Sequence, residues 1–196
     1  MKSKNIIITV ILSAIGLFLF FSVYFFQQAV QKPAIPILGQ VGDFQLVDSQ
    51  GKAFDSKELK GKVWVLDFVF TTCGSICPVM TKNMASLHRS YRLLNDVAMV
   101  SISVNPEYDT PSVLAQFAKK YDADTNRWYF LTGPRKDIED LAIKNFKVGS
   151  AEESIFHSSY FILVDRYSNI RGYYDGTETN AVQKLFKDVF RVLKEQ

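Results

Sequence analysis

The chain has 196 residues, of which 47% are hydrophobic, and carries a formal net charge of +3. This length suits one domain with a hydrophobic core and is short for two. The excess charge comes from Lys2, Lys4 and Lys32, because residues 43–196 hold 20 basic and 20 acidic side chains. That balanced segment has no electrostatic basis for binding nucleic acid, so no nucleic-acid partner is expected.

Residues 6–26 form an apolar run of 21 residues without a charged side chain. A helix of that length spans ~30 Å, the thickness of bilayer hydrocarbon. The alternative is a cleaved signal peptide, whose apolar region is usually about 7–15 residues long. Lys2 and Lys4 precede the run, and the positive-inside rule therefore keeps the N-terminus in the cytoplasm. We expect a single-pass anchor over residues 1–27 in a bacterial inner membrane, with the C-terminal domain in the periplasm or an equivalent non-cytoplasmic compartment.

The rest of the chain is predicted as a linker over residues 28–42 and one domain over residues 43–196. Within the domain, β-branched and aromatic runs predict strands, and apolar residues at helical spacing predict helices. In chain order we predict a strand (44–48), a helical turn (55–61), a strand (63–70), a helix (78–94), a strand (97–104), a helix capped by Asp109 or Thr110 and ending at Tyr121, a strand (128–133), a helix (134–147), a hairpin (159–165 and 170–176) and a helix capped by Thr177 or Thr179 and ending at Leu193.

This alternation predicts an α/β fold in which helices flank a mixed central sheet. A strand that leads into a two-cysteine loop and then a helix is typical of the thioredoxin-like fold. Domains of this fold serve as reductases, peroxidases, isomerases and metal carriers, so the fold alone does not select a function.

Cys73 and Cys77 are the two cysteines of the chain, separated by Gly74, Ser75 and Ile76. Both lie near the predicted start of a helix, where the partial positive charge favours thiolate. Thiolate is both a redox nucleophile and a soft metal ligand, so this placement leaves both uses open. The spacer is one residue longer than in C-x-x-C, which favours a site that can admit an ion. A structural disulfide would close a very short loop and stabilise little. A peroxidase is less favoured, because the loop carries no lysine or arginine.

The chain has two histidines, His88 and His157. His88 lies ~16 Å along the helix from Cys77 and is expected to be a surface residue. His157 comes just before strand 159–165, where redox thioredoxins usually place a cis-proline, and is the candidate third ligand. Two thiolates and one imidazole suit Cu(I), whereas zinc would need a fourth donor. Met80 offers a thioether, but it fits the apolar stripe of its helix and is expected in the core.

Five segments resemble the SCO/SenC family of membrane-anchored, thioredoxin-like copper proteins. They are residues 59–73, the cysteine pair with Pro78, residues 103–111, residues 127–133 and residues 157–176. The resemblance implies that Cys73, Cys77 and His157 bind copper, with Cu(I) favoured and Cu(II) as the alternative. It also implies a chaperone that delivers copper to the binuclear centre of cytochrome c oxidase, or keeps the cysteines of that centre reduced. The implied partner is the oxidase subunit that holds this centre, or another copper or thiol protein.

The chain departs from the family pattern at two points near the expected site. Gly74 and Ser75 replace a proline and an aspartate that often follow the first cysteine, and Asn105 replaces a common aspartate. Fewer carboxylates should weaken the attraction for a cation, particularly Cu(II). A thiol–disulfide oxidoreductase acting through Cys73 and Cys77 is therefore kept as the alternative function, with Cys73 as the attacking thiol. On the main hypothesis the protein is a metallochaperone rather than an enzyme.

Overall fold

The computed structural model describes residues 12–25, 34–149 and 158–195. The chain forms two compact units, Met1–Ala34 and Ile35–Gln196. In the first unit, residues 12–25 form a helix, α1, whose side chains are exposed. Within the described ranges, no helix is both long enough and apolar enough to cross a membrane. The predicted span of residues 6–26 extends past the described part of α1 at both ends.

Eight strands of the described second unit form one mixed sheet. They are β1 (Gly39–Gln40), β2 (Gln45–Asp48), β3 (Ala53–Asp55), β4 (Val63–Val69), β5 (Val97–Ser103), β6 (Trp128–Thr132), β7 (Tyr160–Val164) and β8 (Asn169–Asp175). Their spatial order is β1-β8-β7-β4-β5-β6-β2-β3. Strands β4, β5 and β6 are parallel, whereas β7 is antiparallel to both β4 and β8. The C-terminal ends of β4, β5 and β8 therefore lie on the same side of the sheet, at the ends of its strands.

Helices cover both faces of this sheet. A 3-10 turn (Ser56–Leu59) follows β3, and the helices of the unit are α2 (Cys77–Ser90), α3 (Pro111–Lys120), α4 (Arg135–Asp140, extended by a π-helical turn, Leu141–Asn145) and α5 (Thr179–Lys194). Every residue of β4 and β5 is buried, as expected for strands covered on both faces. Helices α2, α3 and α5 share one core with Val65 and Phe130, and α4 packs on the other face with Leu66 and Phe146. The predicted α/β architecture is confirmed.

Several boundaries differ from the prediction. Helix α2 ends at Ser90 rather than residue 94, because the Arg127 guanidinium binds the carbonyls of Tyr91, Arg92 and Leu94 beyond that point. Strand β1 lies inside the predicted linker and pairs with β8, although two residues are too few to show an alternating pattern.

The predicted helix caps are also only partly right. Asp55 caps the 3-10 turn through a capping box with Glu58, as its sequence position suggests. Neither Thr177 nor Thr179 caps α5, because Glu178 occupies the cap position and the Thr177 hydroxyl donates to Asp175. The residue before α3 is Thr110, whose side chain makes no capping hydrogen bond.

Arg171 ties the start of the second unit to its end. It lies on β8 with 8% of its surface exposed, and its Nη1 donates to Asp165 at 3.0 Å. Its Nε donates to the Ile35 carbonyl at 3.1 Å, and Nη2 pairs with the Glu195 carboxylate. The Ile35 N–H donates to the same Glu195 carboxylate at 3.0 Å. One buried guanidinium therefore fixes where the chain enters the domain and where α5 ends.

Candidate metal and thiol site

The cysteine loop lies between β4 and α2. Cys73 N–H donates to the Phe70 carbonyl at 3.2 Å, which turns the chain directly after the strand. Cys77 is the first residue of α2, followed by Pro78 in the first turn, where the missing N–H leaves no bond unmade. Both cysteines are free thiols, with 9% and 5% of their surfaces exposed. The prediction that both lie at a helix N-terminus is confirmed, with Cys77 inside the helix and Cys73 in the loop.

The two thiols differ in acidity. Burial raises the pKa of Cys73, but hydrogen bonds from the Cys77 thiol and from the backbone N–H groups of Ser75 and Cys77 outweigh this effect and lower the pKa to about 7. For Cys77, burial and the hydrogen bond to Cys73 raise the pKa to about 12. At neutral pH the pair therefore holds a large fraction of thiolate on Cys73, stabilised by a protonated Cys77. In thiol exchange, Cys73 would be the nucleophile and Cys77 the resolving thiol. As metal ligands, the two cysteines are soft donors of which one is already deprotonated.

Asp109 fastens the cysteine loop to the end of the neighbouring strand. It is fully buried and accepts hydrogen bonds from the Thr71 N–H at 3.0 Å and the Thr71 hydroxyl at 2.5 Å. The Ser103 hydroxyl, at the end of β5, donates to the same carboxylate at 2.5 Å. Sequence reasoning gave Asp109 only the role of a possible helix cap, and its side chain points into the site region instead. Because Asp109 lies close before Pro111 at the start of α3, its sequence position suggests a helix cap and not a contact with the cysteine loop.

Asp67 is a buried acid on β4, on the face covered by α2. The Ser101 hydroxyl donates to its Oδ1 at 2.6 Å, and the Trp128 indole N–H donates to the Ser101 oxygen at 2.9 Å. Its Oδ2 is buried without a hydrogen-bond partner among the described residues. Burial raises the pKa of Asp67 to about 7. This residue was also missed from the sequence, although an acid inside the apolar run of residues 63–70 was a visible signal.

The two histidines have different outcomes. His157 lies outside the described residues. The described chain resumes at Ser158, and the register of β7, in which Ile162 opposes Leu66, brings that residue level with the end of β4. The prediction for His88 is wrong, because it is only 8% exposed, packs against Trp128 and accepts a hydrogen bond from the Asp124 N–H at 3.3 Å. Its ring fills the gap beside the Trp128 indole, a contact that helix spacing alone does not reveal.

The other candidate donors near the loop are limited. Met80 is fully buried and belongs to the core between α2 and the sheet, as predicted. Within the described parts of the chain, no three side chains among histidine, cysteine, aspartate and glutamate are grouped closely enough to hold a metal ion. The described portion therefore supplies the two thiols of the candidate site.

The positions that depart from the family pattern lie around the same loop. Gly74 is exposed, and a Cβ at this position would meet no atom within 4 Å. The Ser75 hydroxyl lies 3.6 Å from the Cys73 sulfur. Asn105 accepts hydrogen bonds at its carbonyl from the N–H groups of Tyr108 and Asp109. A carboxylate at residue 75 would thus directly face the more acidic thiol.

Fold and site together define a thioredoxin-like domain with two neighbouring thiols on the loop that follows β4. The SCO1/SenC family model matches residues 38–194, and the chain belongs to this family. It is 36% identical over 160 residues to the SCO1 protein homolog of Bacillus subtilis, covering 79% of this chain and 83% of that one.

Solved structures agree with this assignment. A SCO1/SenC family lipoprotein from Bacillus anthracis superposes with a TM-score of 0.74 at 34% identity, over 83% of this chain and all of that one. BsSco, described as a Sco-family cytochrome c oxidase assembly protein with a disulfide switch, gives 0.72 at 34% identity, over 84% and 100% of the two chains. ScoI of Bradyrhizobium japonicum with copper bound gives 0.64 at 25% identity, over 79% and 99%.

Proposed function

We propose that this protein is a membrane-anchored copper chaperone that delivers copper to, or prepares, the binuclear copper centre of cytochrome c oxidase. The observation that carries the proposal is the pair of buried free thiols, Cys73 and Cys77, on the loop that leads into the start of α2. The copper-bound structure of a family member and the oxidase-assembly role stated for another support the choice of metal and pathway.

The proposed ligands are the thiolates of Cys73 and Cys77 and the imidazole of His157. The donor chemistry fits Cu(I), because sulfur and imidazole are soft or borderline donors and Cu(I) accepts three ligands. Cys73 offers a thiolate at neutral pH, whereas Cys77 must lose its proton when the metal binds, so uptake releases a proton. The place of Ser158 near the end of β4 supports His157 as the third ligand.

Release would proceed by ligand exchange with the thiols of the partner, the oxidase subunit that receives the copper or another copper or thiol protein. Asp109 and Thr71 hold the base of the loop, while Gly74 and Ser75 at its tip are exposed to an approaching partner. We further propose that residues 1–27 anchor the chain in a bacterial inner membrane and that the domain works in the periplasm or an equivalent compartment.

Anaerobic titration of the reduced full chain with Cu(I), against a competing chelator, tests this function. We expect one copper per chain, and we expect His157→Ala to weaken binding by roughly tenfold or more. His88→Gln is the matched control, because glutamine keeps an acceptor for the Asp124 N–H while removing the imidazole. Unchanged affinity in the His157 variant would refute the ligand assignment, and full binding after loss of both cysteines would refute the site.

A second function, thiol–disulfide exchange, is favoured by the unequal acidity of the two thiols. The Cys73 thiolate would attack a partner disulfide and form a mixed disulfide, releasing one partner thiol. Cys77 would then lose its proton and attack the Cys73 sulfur, which releases the second thiol and leaves a Cys73–Cys77 disulfide. The partner is reduced by two electrons and this pair is oxidised. Trapping of a partner on the Cys77→Ser variant checks this route, and absence of any mixed disulfide argues against it.

A further inference from the structure

The outer side of α5 carries a row of basic side chains. Lys184, Lys187, Arg191 and Lys194 follow one another at spacings of three, four and three residues, so they lie on one side of the helix. We call these four residues the α5 basic face. Leu185, Val189 and Val192 occupy the opposite side and are buried in the core.

The charge of this face is only partly balanced. Asp188 is 2% exposed and accepts hydrogen bonds from Lys184 at 2.6 Å and from Arg191 at 2.7 Å. Glu195 is engaged by Arg171. Among the described residues, no carboxylate forms an ion pair with Lys187 or Lys194. The face therefore presents an excess of positive charge on a domain whose overall charge is balanced.

Exposed apolar residues lie directly beside the α5 basic face. Pro36 and Leu38 line a cleft of about 320 Å³ together with Lys184 and Arg191. Ile37 and Leu38 are 63% and 52% exposed. A helix face that contacts only water does not require exposed apolar residues beside it. Basic and apolar side chains side by side are typical of surfaces that bind an anionic membrane.

Chain connectivity places a bilayer within reach of this surface. Arg171 and Glu195 hold Ile35 at the end of α5, beside the basic face. The predicted membrane run ends at residue 26, and the nine steps from there to Ile35 can span at most ~30 Å. If residues 1–27 form the proposed anchor, this length keeps Ile35 within about 30 Å of the bilayer surface, which raises the local concentration of headgroups at the α5 basic face.

We infer that the α5 basic face, together with Ile37 and Leu38, lies against the anionic phospholipid headgroups of the membrane that holds the anchor. This inference rests on the proposed anchor. Helix α5 begins at the end of the strands that carries the cysteine loop and runs away from it, so Lys187, Arg191 and Lys194 lie in its later turns. Contact through these turns leaves the cysteine loop free for a partner.

The test uses the full chain in lipid nanodiscs and measures the rate of lysine acetylation by mass spectrometry. We expect Lys184, Lys187 and Lys194 to react roughly threefold or more slowly in discs that contain phosphatidylglycerol than in discs of phosphatidylcholine alone. About 0.5 M salt should remove most of this protection. Lys119 and Lys120, exposed at the end of α3, serve as internal controls whose rates should not depend on the lipid.

A pair of charge-reversed variants makes the test specific. Lys187→Glu with Lys194→Glu should abolish the protection of Lys184 in anionic discs, while Lys119→Glu with Lys120→Glu changes the net charge equally and should preserve it. Equal rates in the two lipids for chains that resist alkaline extraction would overturn the surface contact alone. Chains that alkaline extraction removes from the membrane would overturn the anchor and this inference with it.

Discussion

The carboxylate of Asp109 accepts hydrogen bonds from both the backbone N–H and the hydroxyl of Thr71, 38 residues away in sequence. Thr71 lies two residues before Cys73, and the same carboxylate binds Ser103 at the end of β5. The position of the cysteine loop is therefore fixed by a side chain that lies outside the loop.

Replacing Asp109 by alanine should loosen the loop and destabilise the fold. Three donors at a buried site lose their acceptor, and we expect the free energy of unfolding to fall by about 3 kcal/mol in urea denaturation. Thr71→Val removes only the hydroxyl bond and should cost about 1 kcal/mol. Equal losses in the two variants would mean that the carboxylate does not act as the shared acceptor.

The acidity of Cys73 predicts how its reactivity depends on pH. Alkylation of the reduced protein by iodoacetamide should rise with a midpoint near pH 7 at Cys73, because thiolate is the reacting form and the pKa is lowered to about 7. Cys77 should stay unreactive in this range, since its pKa is raised. In Cys77→Ala, which lacks the S–H donor, the midpoint should move to higher pH. A midpoint that does not move would exclude the hydrogen bond as the cause.

Ser75→Asp should place a carboxylate next to the more acidic thiol. Because the Ser75 oxygen lies 3.6 Å from the Cys73 sulfur, a negative charge here disfavours the thiolate and raises the pKa of Cys73. The same charge should strengthen Cu(II) binding by roughly tenfold, measured by competition titration. Ser75→Asn is the neutral control of similar shape, and an equal gain in both variants would contradict the electrostatic explanation.

The raised pKa of Asp67 predicts how the stability of the fold changes with pH. Its pKa is 3.8 in the unfolded reference and about 7 in the folded protein, so between these values the folded state holds a proton that the unfolded state has lost. Stability from this residue is therefore fully present below about pH 4 and is lost as the pH rises towards 7.

The Asp67→Asn variant removes this titration and keeps an acceptor for Ser101. Relative to the wild type, it should be more stable at pH 8 than at pH 5, by on the order of a few kcal/mol in urea denaturation. A relative stability of Asp67→Asn that is the same at both pH values would refute the raised pKa.

The regular elements could be predicted because their signals are local. Continuous apolar runs identified β4 and β5, and proline positions marked the starts of α2 and α3. Side chains whose partners are distant in sequence could not be placed. His88 contacts Trp128 across 40 residues, and Arg127 ends α2 from the start of β6.

The candidate site divides in the same way. Cys73 and Cys77 were evident because the pair is contiguous, and their placement at a helix start followed from Pro78. The assignments of Asp109 and Asp67 were missed, since burial and the hydrogen bonds to Thr71 and Ser101 arise only when strands come together. The assignment of His157 as a metal ligand stays a prediction.

The contacts of Arg171 have a mechanical consequence. A pull transmitted along the chain from residue 34 first reaches Ile35, whose N–H and carbonyl are bound by Glu195 and Arg171. The load then passes into the start of β8 and the end of α5, whereas the cysteine loop lies at the opposite end of the strands. In a tethered protein, tension would therefore act first on the contacts of Ile35. The spacing of the two thiols would not change under this force.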